Sequence, residues 1–167
     1  ILIDGAPVNI DSPGVAKSPR IGMALIPEDR KTEGLMLPMT VAENLTFAAM
    51  DRVSRFGVVN RRAEQAEIDR IMRLLAVKSA GTSVPVNSLS GGNQQKVVIG
   101  KWLMIAPRII LLNDPTRGID VGTKQEIYQL MCELADDGIA IIMISSDMEE
   151  LLGMSDRVIV LCEGRLA

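Results

Sequence analysis

Short apolar runs alternate with longer amphipathic segments along the chain. The runs at 22–27, 109–112 and 139–144 contain almost only apolar residues, as strands covered on both faces do. Residues 1–5 are also strand-like, and residues 157–161 predict a last strand. Because helical patterns separate the later runs, the spacing predicts a parallel α/β core.

A layer of helices is predicted before the second apolar run. Thr40 and Glu43 have the spacing of a capping box, which predicts a helix to about residue 50. Asn60 and Ser90 are in position to cap two more helices, the second of which ends near residue 105. The predicted apolar face of the helix after Asn60 consists of Ala66, Ile68, Ile71, Leu74 and Leu75.

Loops and two further helices complete the predicted pattern. Residues 28–34 and 78–88 are predicted loops, because the first is polar and the second is rich in small residues. Helices are expected over 123–136, closed by Gly138, and over 148–152.

Composition narrows the class of protein. Hydrophobic residues make up 47% and charged residues 23%, a globular profile. The net charge is −3 and no basic stripe is present, so we expect no nucleic-acid partner. The longest apolar run is far shorter than the roughly 20 residues of a membrane helix. We expect Cys132 and Cys162 to be reduced thiols in or near the core.

Two segments carry recognisable chemistry. Residues 89–96, Leu-Ser-Gly-Gly-Asn-Gln-Gln-Lys, place a serine and two glycines at a helix start, where free N–H groups and the helix dipole suit a phosphate. Asn113 and Asp114 follow an apolar strand, at the end where α/β proteins bind ligands. Either segment alone could be structural: an ordinary serine-capped helix in the first case, and a turn before Pro115 in the second.

Together, in this order, the segments resemble the nucleotide-binding domain of ABC transporters. Residues 89–96 resemble the family signature, 109–114 its Walker B strand, and 116–120 the loop that follows. With residues 27–31, Pro-Glu-Asp-Arg-Lys, they resemble more narrowly the second ATPase domain of bacterial ribose, galactose or xylose importers.

The resemblance implies a fold, cofactors and partners. The fold would be a P-loop NTPase-like parallel sheet core, incomplete, with an inserted α-helical subdomain. The core would comprise 1–39, with the Q-loop-like segment, and 106–167, with the Walker B, D-loop and switch segments; 40–105 would form the helical subdomain. ATP and Mg²⁺ would be the cofactors. The partners would be a second ATPase domain, membrane permease subunits at the cytoplasmic face, and indirectly a periplasmic sugar-binding protein.

Roles of single residues follow from the same resemblance. The resemblance implies that the signature would act on ATP held by a partner domain. The implied nucleotide contacts are Ser90, Gly91, Gly92, Gln94, Glu28 and Asp120. The implied catalytic positions are Asp114, Asn113 and Ser146, and the implied Mg²⁺ contacts are Asn113 and Glu28.

The sequence departs from the family pattern at several positions. No Gly-x-x-x-x-Gly-Lys-Ser/Thr loop occurs, so we expect a fragment without useful ATP affinity of its own. Asn113 offers Mg²⁺ a neutral amide, and Asp114 is one methylene shorter than the usual glutamate. Ser146 stands in place of the switch histidine, although it could equally serve as part of a helix cap.

These departures predict a degenerate site that hydrolyses ATP slowly while supporting a partner's site. Two alternatives stay open: a non-catalytic regulatory or interaction fragment of the same family, and a DNA-repair or chromosome-organising ATPase. The second alternative would carry long heptad-rich coiled coils, which this sequence lacks. Because an incomplete sheet leaves strand edges unpaired, we also expect self-association.

Overall fold

The computed structural model describes residues 1–166 and begins with a small hairpin, not with a strand of the main sheet. The hairpin pairs β1 (Leu2–Ile3) with β2 (Ala6–Pro7) in antiparallel register. A short helix, α1 (Pro13–Lys17), is capped by Ser12 and leads to β3 (Met23–Ile26). The predicted strand at 1–5 therefore forms over two residues only.

A helical layer follows β3. Asp29 caps a π-helical turn over Arg30–Gly34, in a segment predicted to be an irregular loop. The remaining elements of this layer are α2 (Val41–Thr46), a 3₁₀ turn (Phe47–Ala49), α3 (Met50–Val53), the hairpin strands β4 (Ser54–Arg55) and β5 (Val58–Val59), α4 (Arg61–Leu74), a second 3₁₀ turn (Val86–Ser88) and α5 (Gly91–Leu103).

The caps that the sequence predicts in this layer are present. Thr40 and Glu43 form the reciprocal capping box, and Asn60 and Ser90 accept the N–H groups that begin α4 and α5. The helix after Thr40 ends earlier than expected, since its α-helical part stops at Thr46.

The predicted apolar face of α4 is only partly correct. Ile68, Ile71 and Leu75 are buried, whereas Ala66 and Leu74 are exposed. Residues 68, 71 and 75 follow a spacing of three and four, which keeps them on one side of the helix and turns the other two away from the core.

The remaining elements continue the chain from α5. They are β6 (Ile109–Asn113), α6 (Val121–Asp136), β7 (Ala140–Ile144), α7 (Met148–Met154), and a terminal hairpin of β8 (Leu161–Cys162) and β9 (Arg165–Leu166). Among residues 1–166, no helix combines the length and apolar composition needed to span a membrane.

The central sheet has three parallel strands in the order β3-β6-β7. Its alternate side chains, among them Ile26, Ile110 and Leu112, are buried in the main core with residues of α5 and α6. The α/β class with a parallel sheet is therefore confirmed. The division of the chain at residues 39 and 105 stays a prediction.

The other face of the sheet is open, and this corrects one expectation. The side chains of Leu25, Ile142 and Ile144 are 52%, 57% and 64% exposed. Strand β7 is thus covered on one face only, not on both as its continuous apolar run predicts. An apolar run specifies that both faces can be buried, but it does not supply the segment that covers them.

Two further expectations are wrong near the chain's end. The strand predicted at 157–161 does not form; only Leu161 joins a two-residue strand, and Val158 to Leu161 are exposed. A strand needs a hydrogen-bonded neighbour, and this segment has none within the described sheet. Cys132 and Cys162 are free thiols, as expected, but both are exposed and not in the core.

Candidate functional site

The start of α5 presents an exposed serine to solvent. The Ser90 hydroxyl oxygen accepts the Asn93 backbone N–H at 3.5 Å and its side-chain amide at 2.9 Å. Asn93 in turn accepts the backbone N–H of Lys78 at 2.7 Å through Oδ1. The first turn of α5 is therefore held at a fixed place, with the positive end of the helix dipole beside Ser90.

The two glycines that follow Ser90 leave room for side chains from elsewhere in the chain. A Cβ on Gly91 would lie 2.8 Å from Nη2 of Arg30, and one on Gly92 would lie 2.5 Å from Cγ2 of Thr123. Both distances are well inside van der Waals contact. At position 92 packing within the protein therefore requires glycine, because the short Thr123 side chain has little freedom to move, whereas at position 91 an added Cβ would displace the end of the flexible Arg30 side chain.

Gln94 lies inside the protein and not at the exposed helix start. It is 6% exposed, and its Nε2 donates to the carbonyl oxygens of Leu89 at 3.1 Å and Val86 at 3.4 Å. This placement favours a packing role that fixes the turn before α5. The predicted nucleotide contact of Gln94 is therefore not supported by its position.

Lys96, the last residue of the signature segment, is a buried link between α5 and α6. Its ammonium donates to the Ala76 carbonyl at 3.2 Å and pairs with the Glu126 carboxylate at 2.6 Å. The Lys96 hydrogen bond and charge hold the pKa of Glu126 below its usual value. The sequence does not identify Lys96 as a residue that links the two helices.

Two of the three predicted catalytic positions, Asp114 and Ser146, are brought together. One oxygen of Asp114, Oδ1, accepts the Ser146 backbone N–H at 2.7 Å and the Ser146 hydroxyl at 2.8 Å. The backbone N–H of Asp114 also donates to Ile144, at 2.8 Å, while its φ of 44° is left-handed. Asp114 thus joins the ends of β6 and β7, and part of its carboxylate is engaged in doing so.

Asn113 and Glu28 lie at the carboxyl ends of neighbouring strands. Asn113 ends β6, where it is in register with Ile144 of β7, and Glu28 follows β3 by two residues. The Glu28 carboxylate forms an ion pair with Arg117. Within residues 1–166 no cluster of three or more His, Cys, Asp or Glu side chains is arranged to hold a metal ion.

Asp120 caps α6. Its carboxylate accepts the Thr123 backbone N–H at 2.9 Å and the Thr123 hydroxyl at 2.8 Å. These hydrogen bonds, the backbone one foremost, lower the pKa of Asp120. The Thr123 side chain also fills the space beside Gly92. Asp120 therefore orients a side chain that packs against the first turn of α5.

A parallel sheet with acidic and amide side chains at its carboxyl edge, beside a glycine-containing helix start, is the arrangement of an ATP-binding cassette. The chain belongs to the ABC transporter family, whose model matches residues 1–117.

The chain is also similar to curated sugar-import proteins. It is 68% identical over 166 residues to the ribose import ATP-binding protein RbsA 1 of Mesorhizobium japonicum, covering 99% of this chain and 32% of that protein. It is 48% identical to the xylose import ATP-binding protein XylG of Pseudomonas syringae, covering 99% of this chain and 31% of that protein. The chain therefore spans about a third of the length of these relatives.

Solved structures agree on the fold. CbiO1 of Clostridium perfringens, part of the ABC transporter complex cbiONQ, has a TM-score of 0.78 at 23% identity, covering 99% of this chain and 63% of that one. The ATP-binding cassette MJ0796, in a dimeric post-hydrolysis state with ADP and Pi, has a TM-score of 0.76 at 23% identity, covering 98% of this chain and 69% of that one.

Proposed function

We propose that this chain is part of the ATP-binding and ATP-hydrolysing subunit of an ABC transporter that imports a carbohydrate. In this proposal, residues 89–96 act in trans on ATP that a second ATPase domain holds by its phosphate loop. The proposed organisation follows the sequence: a core from 1–39 and 106–167, and a helical subdomain over 40–105. The high identity to ribose and xylose import ATP-binding proteins supports the substrate class.

One observation carries the proposal. The Ser90 hydroxyl is exposed at the start of α5, and hydrogen bonds from Asn93 to Ser90 and from Lys78 to Asn93 anchor this helix start. Such a helix start offers N–H groups and a hydroxyl to a phosphate that arrives from outside the chain. The proposed nucleotide contacts are therefore the exposed Ser90 hydroxyl together with the backbone N–H groups of the half-buried Gly91 and the buried Gly92.

The chain's own Walker B end is proposed to hydrolyse ATP slowly. Asp114 would have to orient water with a carboxylate that already accepts two hydrogen bonds from Ser146. For Mg²⁺ the chain can offer the Asn113 amide oxygen and the Glu28 carboxylate, the latter engaged by Arg117. Asp120 would contribute indirectly, by orienting Thr123 beneath the signature helix.

The proposed partners complete the transporter. They are a second ATPase domain in a head-to-tail dimer, permease subunits docked near the helical layer, and through them a periplasmic sugar-binding protein. The dimeric state of MJ0796 with ADP and Pi supports the two-domain arrangement. The proposed location is peripheral, on the cytoplasmic face of the membrane that holds the permease.

The test removes the Ser90 hydroxyl in the complete ATPase subunit. It then measures ATP hydrolysis by that subunit assembled with its permease. We expect Ser90→Ala to lower kcat about 10- to 100-fold, because a preorganised donor to the transferring phosphate is lost. Ser88→Ala is the matched control, since Ser88 is also exposed and its hydroxyl bonds only locally, to Pro85. Equal activities of the two variants would refute a role for Ser90 in trans.

A second measurement addresses the degenerate site. The phosphate-loop lysines of the two ATPase domains that form the dimer are mutated one at a time. We expect the two mutations to reduce ATPase activity by unequal amounts. Equal losses would contradict slow hydrolysis at the site that contains Asn113 and Asp114. The transporter could also keep its sugar import and ATPase activity after Ser90→Ala and after removal of this chain. That result would favour the alternative function, a non-catalytic regulatory or interaction fragment of the same family.

A further inference from the structure

Arg30 connects the π-helical turn to the loop after β6. Its Nη1 donates to the Arg117 carbonyl at 3.0 Å and its Nη2 to the Gly118 carbonyl at 3.3 Å. Because the guanidinium is planar, two donors on two successive carbonyls fix both the position and the tilt of the group. Gly118 has a φ of 68°, so the loop reaches this arrangement through a left-handed residue.

The same guanidinium fills the space beside Gly91. Nη2 of Arg30 lies 2.8 Å from where a Gly91 Cβ would be, and the Gly118 carbonyl lies 3.7 Å from that point. Arg30 is therefore packed between the loop after β6 and the first turn of α5. A shift of either element would break the hydrogen bonds or open a gap.

The far end of the π-helical turn is anchored to the same helix. The ammonium of Lys101 in α5 donates a hydrogen bond to the Gly34 carbonyl. A Cβ on Gly34 would lie 2.9 Å from Cγ2 of Val98, which is also in α5. Burial lowers the pKa of Lys101. The turn is thus attached to α5 near both ends of that helix, and Arg30 forms the attachment at the Ser90 end.

We propose that Arg30 is a positioning residue for the trans-acting signature: it holds the start of α5 and the 116–120 loop in one geometry relative to the segment after β3. This inference rests on the proposed function. Its physical basis is that both hydrogen-bond acceptors are backbone carbonyls, so Arg30 acts on the path of the chain.

A direct anion site is the competing explanation of the same residues. Arg30, Lys31 and Arg117 line a cavity of about 320 Å³ together with Glu28 and Asp29. However, Glu28 pairs with Arg117, and the terminal nitrogens of Arg30 face carbonyl oxygens. The geometry favours positioning over anion binding, and the experiments below separate the two.

The first experiment is a double-mutant cycle on the chain, read by thermal unfolding. Arg30→Ala removes the guanidinium, so we expect it to lower Tm by about 4–8 °C, whereas Gly91→Ala displaces the end of that side chain and should lower Tm by a smaller amount, about 2–4 °C. The combined variant should lose little more than Arg30→Ala alone, because the new methyl occupies the vacated space. Gly92→Ala is the control, since its Cβ meets Thr123 and its loss should add to that of Arg30→Ala. Additive losses for Arg30 and Gly91 would overturn the proposed packing.

The second experiment measures ATPase kinetics in the complete subunit with its permease. We expect Arg30→Lys and Arg30→Ala both to lower kcat about tenfold or more with the KM for ATP within about twofold, since a small displacement of a catalytic group costs rate. Lys31→Ala, from the same cavity, should leave both constants unchanged. A raised KM, rescue by lysine, or a loss explained by unfolded protein alone would overturn the inference. Absence of ATPase activity in the unmutated subunit would instead refute the proposed function.

Discussion

Gly100, in the middle of α5, provides a sharp test of the packing between helices. A Cβ at this position would lie 2.7 Å from Cγ2 of Ile71, 2.8 Å from Cδ2 of Leu45 and 2.9 Å from Cδ1 of Leu75. Carbon atoms in contact are normally about 3.5–4.0 Å apart, so alanine would overlap three neighbours by roughly 1 Å each. All three neighbours are buried, and none can turn towards solvent.

The expected cost follows from these overlaps. Adding a methyl to a filled core destabilises by about 1–3 kcal/mol, while replacing glycine within a helix by alanine returns about 1 kcal/mol. With three overlaps we expect Gly100→Ala to lower the free energy of unfolding by about 1–2 kcal/mol, and Tm by about 2–8 °C. Equilibrium denaturation in guanidinium chloride, together with a thermal scan, measures both quantities.

Gly153 is the matched control within the same chain. It lies in α7, and no atom outside its immediate neighbours comes within 4 Å of an added Cβ. Gly153→Ala should therefore be neutral or stabilising by up to about 1 kcal/mol. If Gly100→Ala proves as stable as the unmutated chain, or changes stability in the same direction as Gly153→Ala, the reasoning from close helix packing is wrong.

Three further predictions concern the ends of the strands, the helix pair and the open face. At β6, Asp114→Asn keeps an oxygen for the Ser146 N–H and tolerates the left-handed backbone, so Tm should fall by at most about 3 °C, whereas Asp114→Ala should lose about 3–8 °C in a thermal scan. Between α5 and α6, Lys96 depresses the folded-state pKa of Glu126 below its usual value of 4.5. The resulting stability is present above that value and is lost as the pH falls through the folded-state pKa, so denaturation curves of Glu126→Gln and the unmutated chain should differ near neutral pH and converge in acid. On the open sheet face, Ile142→Lys should reduce concentration-dependent association measured by light scattering.

Each of these predictions has an outcome that contradicts it. Equal losses for the two Asp114 variants would show that the Ser146 hydrogen bonds do not matter for stability. A constant stability gap between Glu126→Gln and the unmutated chain at all pH values would remove the charge contribution of Lys96. A monomeric unmutated chain across a wide concentration range would argue against association through the face that contains Ile142.

The parts of the fold that the sequence predicts correctly depend on residues close together in the chain. The capping box needs only Thr40 and Glu43, which bond reciprocally at 2.8 and 3.2 Å. Asn60 and Ser90 likewise accept N–H groups three residues further on. Such contacts are set by local geometry, and a pattern of residue types is sufficient to identify them.

The incorrect parts depend on partners that a local pattern does not specify. Residues 157–161 have the composition of a buried strand, yet a strand exists only where a neighbour accepts its hydrogen bonds. The exposure of Ile142 and Ile144 has the same origin, since composition predicts that a face can be buried without identifying the segment that covers it.

In the candidate site too, the sequence identifies single residues but not the contacts between residues that are distant in the chain. Resemblance to a family identifies Ser90, Asp114 and Ser146 as positions of interest, and the structure joins the last two through hydrogen bonds across 32 residues of sequence. The link from Arg30 to Arg117 spans 87 residues and lies in a segment whose local pattern predicts only a polar loop. The ion pair of Lys96 with Glu126 cannot be predicted from a local pattern either, because Glu126 lies on another helix.

The shared volume of Arg30 and Gly91 has a consequence for how such sequences diverge. A lineage that inherits a small residue at position 30 loses the internal packing reason for glycine at position 91, and a lineage that acquires a side chain at 91 displaces or shortens the one at 30. Either change alone passes through a less stable intermediate. Substitutions at the two positions should therefore be inherited together, as a correlated pair that contact in space accounts for and proximity in sequence does not.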